Sequence, residues 1–256
     1  MSLPAPLRPP PKHLVAIHGW GFNSAVWEDT GRQLADEYRL RAVDLPGFGK
    51  RPMPAGEYTL PTLADSVVEA APEPSVMMGW SLGGLVALEV ARRYPERTRA
   101  LVMVASSPRF TKAGDWPHGV TPGVLNAFSQ TVTSHRQHAL VRFLIIQAGR
   151  TDLGRITVNK LKPLLFRDGV PDQAALERGL ILLRETDYRD VLPTIRCPVL
   201  FILGSRDNLL SSAVAEDLES LCRDCRVAVI KGSAHAPFIS HPAAFLQVLK
   251  PFLEQV

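Results

Sequence analysis

Apolar residues run along this chain in short unbroken blocks separated by longer amphipathic stretches. The blocks are "HLVAI" from His13, "LRAVDL" from Leu40, "SVMMG" from Ser75, "ALVMVA" from Ala100, "VLFILG" from Val199 and "VAVI" from Val227. They predict six strands, apolar enough to be covered on both faces. Helical spacing recurs between them, near residues 25–38, 60–71, 82–94, 213–221 and 243–253. Pro251 falls inside the last segment and is expected to kink or loosen it.

This alternation predicts an α/β fold, a mostly parallel twisted sheet flanked by helices. It lapses between Pro108 and Arg189, where "VLNAFSQTV", "HALVRFLIIQA" and "AALERGLILLRE" read as helices with few strand-like runs among them. The expected organisation is a core made of residues 1–107 and 190–256, with residues 108–189 inserted as a helical cap (lid). Such a cap would lie over the C-terminal edge of the sheet, where open α/β sheets bind their ligands.

Composition narrows the picture. A chain of 256 residues with 46% hydrophobic content can bury the core of one α/β domain with an insertion. A net charge of +4 is too mild for nucleic-acid binding, yet it suits an acidic partner. No apolar run reaches the roughly 18 residues of a membrane span. The start, "MSLPAPLRPPPK", lacks the apolar segment of a secretory signal and reads as a poorly ordered leader. These features predict a cytoplasmic monomer with no membrane partner. Of the three cysteines, Cys197 reads as a buried small hydrophobe. Cys222 and Cys225, in "CRDC", have no second ligand pair at zinc spacing, so they read as reduced thiols and no metal site is expected.

The stretch "GWSLGG", Gly79 to Gly84, sets one serine between glycines at a strand-to-helix junction. Gly79-x-Ser81-x-Gly83 reads as a nucleophile elbow, in which small residues let the helix pass close to the strand. A serine hydroxyl needs a base. Seven histidines are available. His235, in the loop "GSAHAPF" after a strand, is the best placed; His241 reads as a helix-start residue, and His18 follows the first strand in "HGWG". The imidazole in turn needs a carboxylate. Asp207, in "LFILGSRDNLL", falls between Ser81 and His235, which is the chain order of an α/β-hydrolase triad. Asp44, in "VDLPGFG", is the rival acid and reads as a structural turn residue. The oxyanion requires fixed donors. The backbone N–H of Leu82 and an N–H from the "HGWG" loop, Trp20, are the candidates.

The set "HGWG", "DLPGFG", "GWSLGGLVA", "PERTRALVMVASSPRF" and "AHAPFISHP" resembles the α/β-hydrolase superfamily and, within it, the methyl ester esterases that act on pimeloyl-acyl-carrier protein in biotin synthesis. The resemblance runs from about His13 onwards. It implies Ser81 as nucleophile, Asp207 as acid and His235 as base, with Trp20 and Leu82 lining the oxyanion and substrate position. It implies no cofactor, and an acyl-carrier protein as partner. The family's "RFLxxQ" segment is matched by Arg142, Phe143, Leu144, Ile145, Ile146 and Gln147. Phe143 to Gln147 read equally as lining of an acyl channel and as plain helix packing. Arg142 and Arg155 match basic positions that meet the carrier protein, although a solvated helix face would carry the same residues. A broad carboxylesterase, another hydrolase on the same scaffold and a non-catalytic ligand sensor remain open alternatives.

Overall fold

The computed structural model describes residues 12–71 and 73–256, and the expected leader up to residue 11 lies outside them. Among the described residues six strands form one sheet: β1 (Lys12–Ile17), β2 (Tyr38–Val43), β3 (Ser75–Trp80), β4 (Thr98–Val104), β5 (Val199–Gly204) and β6 (Cys225–Ile230). Their order is β2-β1-β3-β4-β5-β6, and every ladder is parallel. Parallel neighbours need crossover connections, which the helices supply. These are α1 (Glu28–Leu34), α2 (Leu60–Ala70), α3 (Leu82–Arg93), α4 (Pro122–Ala148), α5 (Asp152–Leu165), α6 (Gln173–Glu185), α7 (Ala215–Leu221), α8 (Pro237–Ser240) and α9 (Pro242–Glu254).

All six predicted strands form, but not all are covered on both faces. β3 and β5 are buried at every residue, whereas β2 and β6 are the sheet's edges and alternate between exposed and covered positions. Two helix expectations also change. The segment 25–38 begins as a 3-10 turn, Ser24–Trp27, continues as α1 and stops at Leu34, because Tyr38 already pairs with Lys12 in the sheet. Asn23 caps that turn, its side chain accepting the Ala25 N–H at 3.1 Å. Helix α9 runs through Pro251 to Glu254; this proline lies near the C-terminal end, where few helical bonds remain to be disturbed. Cys197 is half-buried, and Cys222 is the buried thiol.

Between β4 and β5 the chain leaves the sheet and forms α4, α5 and α6. "VLNAFSQTV" and "HALVRFLIIQA" form the two helical segments of α4, which meet at a kink where His135 adopts the non-helical φ −145° and ψ 66°. The chain segments that leave and re-enter the sheet around this excursion are stapled together. The Tyr188 N–H donates to the Pro108 carbonyl at 2.9 Å, and Arg109 pairs with Asp187. Arg189 adds bonds to Asp187 at 2.7 Å and to Asp115 at 2.8 Å.

Because all strands point one way, the loops after β1, β3, β5 and β6 emerge at the same edge of the sheet. Strand order reverses direction around β1, so the crossovers that follow β1 and β3 run to opposite sides of that point, where open α/β sheets bind their ligands.

Candidate active site

Ser81 stands between β3 and α3 at φ 56° and ψ −119°, a backbone conformation that non-glycine residues rarely adopt. Its neighbours explain how the turn is made. A Cβ on Gly79 would lie 2.1 Å from the Gly83 carbonyl oxygen, and one on Gly83 would lie 2.5 Å from the carbonyl oxygens of both Ile17 and His18. Both glycines are therefore required by close backbone approach. Two further bonds brace the elbow. The Ser81 N–H donates to the Val104 carbonyl at 3.0 Å, and the Ser106 hydroxyl donates to the Ser81 carbonyl at 2.8 Å.

Asp207 and His235 meet directly, the imidazole Nδ1 donating to Asp207 Oδ2 at 2.7 Å. Both side chains are buried. The second carboxylate oxygen of Asp207 accepts the N–H groups of Leu209 at 2.8 Å and Leu210 at 3.2 Å, which fixes the carboxylate plane. The backbone of His235 is tied down twice. Its N–H donates to the Gln147 carbonyl on α4 at 3.2 Å, and its carbonyl accepts the indole N–H of Trp80, the residue before Ser81, at 2.7 Å. With Nδ1 committed to Asp207, the other ring nitrogen, Nε2, is buried and has no hydrogen-bond partner among the described residues. An imidazole held in this way can accept a proton at Nε2.

The loop after β1 lies against the elbow, since a Cβ on Gly19 would touch Trp80 at 3.0 Å and Ser81 Cβ at 3.3 Å. His18 is fully buried and serves this loop. The Leu45 N–H donates to its Nε2 at 3.0 Å, so the proton sits on Nδ1 and is donated to the Gly19 carbonyl at 2.8 Å. Burial lowers its pKa and keeps it neutral. Phe22 N–H also donates to the Gly19 carbonyl, at 3.2 Å. In a trans peptide the next N–H, that of Trp20, points the opposite way from this anchored carbonyl. Leu82 is the first residue of α3, where helix N–H groups have no intrahelical acceptor. Asp44 is a turn residue whose carboxylate accepts the Ser24 N–H at 2.6 Å, and His241 precedes α9 with its Nδ1 2.9 Å from the Ser240 hydroxyl.

The remaining candidates divide. Phe143, Leu144 and Gln147 of α4 are buried, and the Phe143 ring packs edge-on against Trp20 with centroids 4.8 Å apart. Ile146 is half-buried. Ile145 faces outward, 46% exposed, and lines an outer groove with Arg150, Arg155 and Val158. It does not line an internal channel in this structure. Arg142 sits over the Phe128 ring at 6.0 Å, and Arg155 is exposed and pairs with Asp152 at 2.7 Å. A cavity of about 520 Å³ adjoins Asp207, lined by Arg150, Thr151, Arg206, Asn208 and Ser240 among others, and Ser81 is not part of its wall. Among the described residues, no group of three or more His, Cys, Asp or Glu side chains could hold a metal ion, and no helix is long and apolar enough to cross a membrane.

Sequence reasoning did not assign roles to Ser106, to the Trp80 indole or to His18. The first two bonds join residues far apart in sequence, and the signal for His18 was its place beside the "HGWG" glycines.

The sequence profile of the alpha/beta hydrolase family matches residues 14–248. The chain belongs to the alpha/beta hydrolase family. Within it the chain also belongs with a group of esterases. It is 43% identical over 242 residues to a protein of Aeromonas hydrophila named pimeloyl-[acyl-carrier protein] methyl ester esterase, covering 94% of each chain. It is 41% identical to the protein of the same name from Aeromonas salmonicida, again over 94% of each. Among solved structures, an esterase from Exiguobacterium antarcticum superimposes with a TM-score of 0.83 at 26% identity, covering 95% of this chain and 92% of the other. Membership of this esterase group makes the chain an ester hydrolase.

Proposed function

We propose that this member of the family hydrolyses the methyl ester of pimeloyl-acyl-carrier protein, releasing methanol and free pimeloyl-acyl-carrier protein for biotin synthesis. The observation that carries this reading is the 40–43% identity, over nearly the whole length, to relatives named for that activity. The buried His235–Asp207 pair beside the strained Ser81 elbow supports the ester chemistry.

In this reading Ser81 Oγ attacks the ester carbonyl carbon and its proton passes to His235 Nε2. The carbonyl oxygen becomes an oxyanion met by the N–H groups of Trp20 and Leu82. The tetrahedral centre collapses, the bond to the methoxy oxygen breaks, and methanol leaves with the proton from His235. Water then attacks the acyl-serine, giving its proton to His235, and the second collapse returns that proton to Ser81. Asp207 holds the imidazole in the required tautomer and stabilises its charged form. The steps need no metal or organic cofactor.

Residues 108–189 act as the cap. Phe143, Leu144 and Gln147 are the buried members that would face the acyl chain, while Arg142 and Arg155 offer positive charge to an acidic carrier protein. The enzyme works as a cytoplasmic monomer. Burial disfavours the newly formed carboxylate, so product release follows cleavage.

The test compares hydrolysis of pimeloyl-carrier-protein methyl ester with that of a small aryl ester, for the parent and Ser81→Ala. A strong preference for the carrier substrate that vanishes in Ser81→Ala is the expected result. Equal or better turnover of the aryl ester would make the protein a general esterase. Absence of Ser81-dependent turnover of either would leave a ligand-binding role.

A further inference from the structure

Helix α6 touches the side chains of both residues assigned as oxyanion donors. The Leu176 carbonyl accepts the indole Nε1–H of Trp20 at 2.8 Å. One turn further on, Gly179 leaves a gap that those same two residues fill. A Cβ at this position would stand 2.8 Å from Trp20 Cδ1, 3.3 Å from Trp20 Nε1 and 3.3 Å from Leu82 Cδ2. Both side chains are buried beneath the helix.

This contact matters because of where Trp20 sits in its loop. It lies between Gly19 and Gly21, the latter at φ 81°, so the backbone on either side has little intrinsic stiffness. His18 holds one side of the Gly19–Trp20 peptide. The indole, with only two side-chain torsions, holds the other by being pinned to α6. The elbow beneath is closed in this arrangement: Ser81 is 3% exposed and His235 is fully buried. Displacement of α6 would release the indole from the Leu176 carbonyl.

We propose that α6, through the Leu176 carbonyl and the gap at Gly179, is the positioning element of the oxyanion hole. The hole takes its working shape when α6 is seated, and a tetrahedral oxyanion in the hole holds α6 down in return. Linkage requires that reciprocity. Leu176 and Gly179 touch no reacting atom; they act through Trp20 and Leu82. The inference rests on the assignment of Ser81, Trp20 and Leu82 given above.

The test uses the full chain and the variants Trp20→Phe, which keeps an aromatic ring but loses the indole donor, Gly179→Ala and Ser81→Ala. Steady-state kinetics on the methyl ester are combined with thermal midpoints. Amide exchange of residues 173–185 is measured before and after a fluorophosphonate modifies Ser81, leaving a tetrahedral adduct. Trp20→Phe and Gly179→Ala are expected to lower kcat about tenfold or more with KM changed by less than about twofold, since loss of one oxyanion donor costs on the order of 100-fold. Adduct formation is expected to slow exchange in α6 of the parent and to do so much less in Trp20→Phe.

Unchanged kcat in both variants, a loss confined to KM, or equal slowing of exchange in the parent and Trp20→Phe would overturn the proposal. If Gly179→Ala does not fold, Trp20→Phe decides alone. A fully active Ser81→Ala would instead refute the underlying assignment, so the two failures are separable.

Discussion

The indole N–H of Trp80 donates to the carbonyl of His235 at 2.7 Å, linking the residue before the elbow serine to the loop that carries the base. Both rings are buried, and their centroids lie 6.0 Å apart. The same bond therefore sets the height of the imidazole relative to Ser81. Trp80→Phe leaves the buried His235 carbonyl without this donor, at a cost of about 1–3 kcal/mol. kcat is expected to fall by about tenfold with little change in KM, because misplacing a catalytic group acts on the reacting geometry. Denaturant unfolding and steady-state kinetics on the same variant check both effects.

The elbow makes a second prediction, in which one substitution relieves another. A Cβ on Gly84 would lie 2.2 Å from Ser106 Oγ and 2.4 Å from Ser106 Cβ, with its next neighbour, the Gly79 carbonyl oxygen, at 3.3 Å. Gly84→Ala is expected to destabilise by roughly 1–3 kcal/mol through overpacking. Ser106→Gly removes the obstructing side chain, so Gly84→Ala/Ser106→Gly should be more stable than the sum of the single changes predicts. A double-mutant cycle from unfolding midpoints measures this coupling. Purely additive behaviour would contradict the packing described.

The staple at the base of the inserted helices titrates in acid. Hydrogen bonds from Arg189, with a further one from Arg109, lower the Asp187 pKa from 3.8 to about 2. The folded value is depressed, so the stabilisation is fully present above the unfolded value near 4 and is lost as pH falls through about 2. Asp187→Asn should be less stable than the parent at pH 6, and the difference should shrink between about pH 4 and pH 2. Chemical denaturation across that range tests it; a gap that stays constant down to pH 2 would exclude the ion pairs as its source.

His18 gives the range just below neutrality its own structural reporter. Burial lowers its folded pKa below 6.5, and protonation would set a proton on Nε2 against the Leu45 N–H. A depressed histidine contributes stability that is present above the unfolded value of about 6.5 and declines as pH falls below it. His18→Gln removes this contribution to the slope, so its stability should vary less than the parent's below about pH 6.5. Its kcat should also fall, since the Gly19 carbonyl loses the anchor that orients the Trp20 N–H. Paired stability and rate profiles against pH check the two consequences together.

Much of this protein was legible from its sequence because the relevant physics is local. Six apolar blocks mark six strands, and the glycines around Ser81 mark a tight strand-to-helix turn. Serine, aspartate and histidine could be ordered along the chain because each follows a recognisable strand. The sequence pattern did not reveal which strands would lie at the edges, since that depends on the lateral order of the sheet. β2 and β6 are half-exposed for that reason. The helix expected to reach Tyr38 stopped early because pairing with β1 outweighed local helical spacing. Ile145 could not be placed either: periodicity identifies faces of a helix without saying which one meets the core.

The bonds that organise the site were decided by tertiary structure alone. Trp80 reaches His235 across 155 positions, and Trp20 reaches Leu176 across 156. A parallel sheet brings such residues together only after its crossovers have formed. The sequence therefore determined which groups are available for ester chemistry, while the assembled sheet and the helices over it determined how those groups are held.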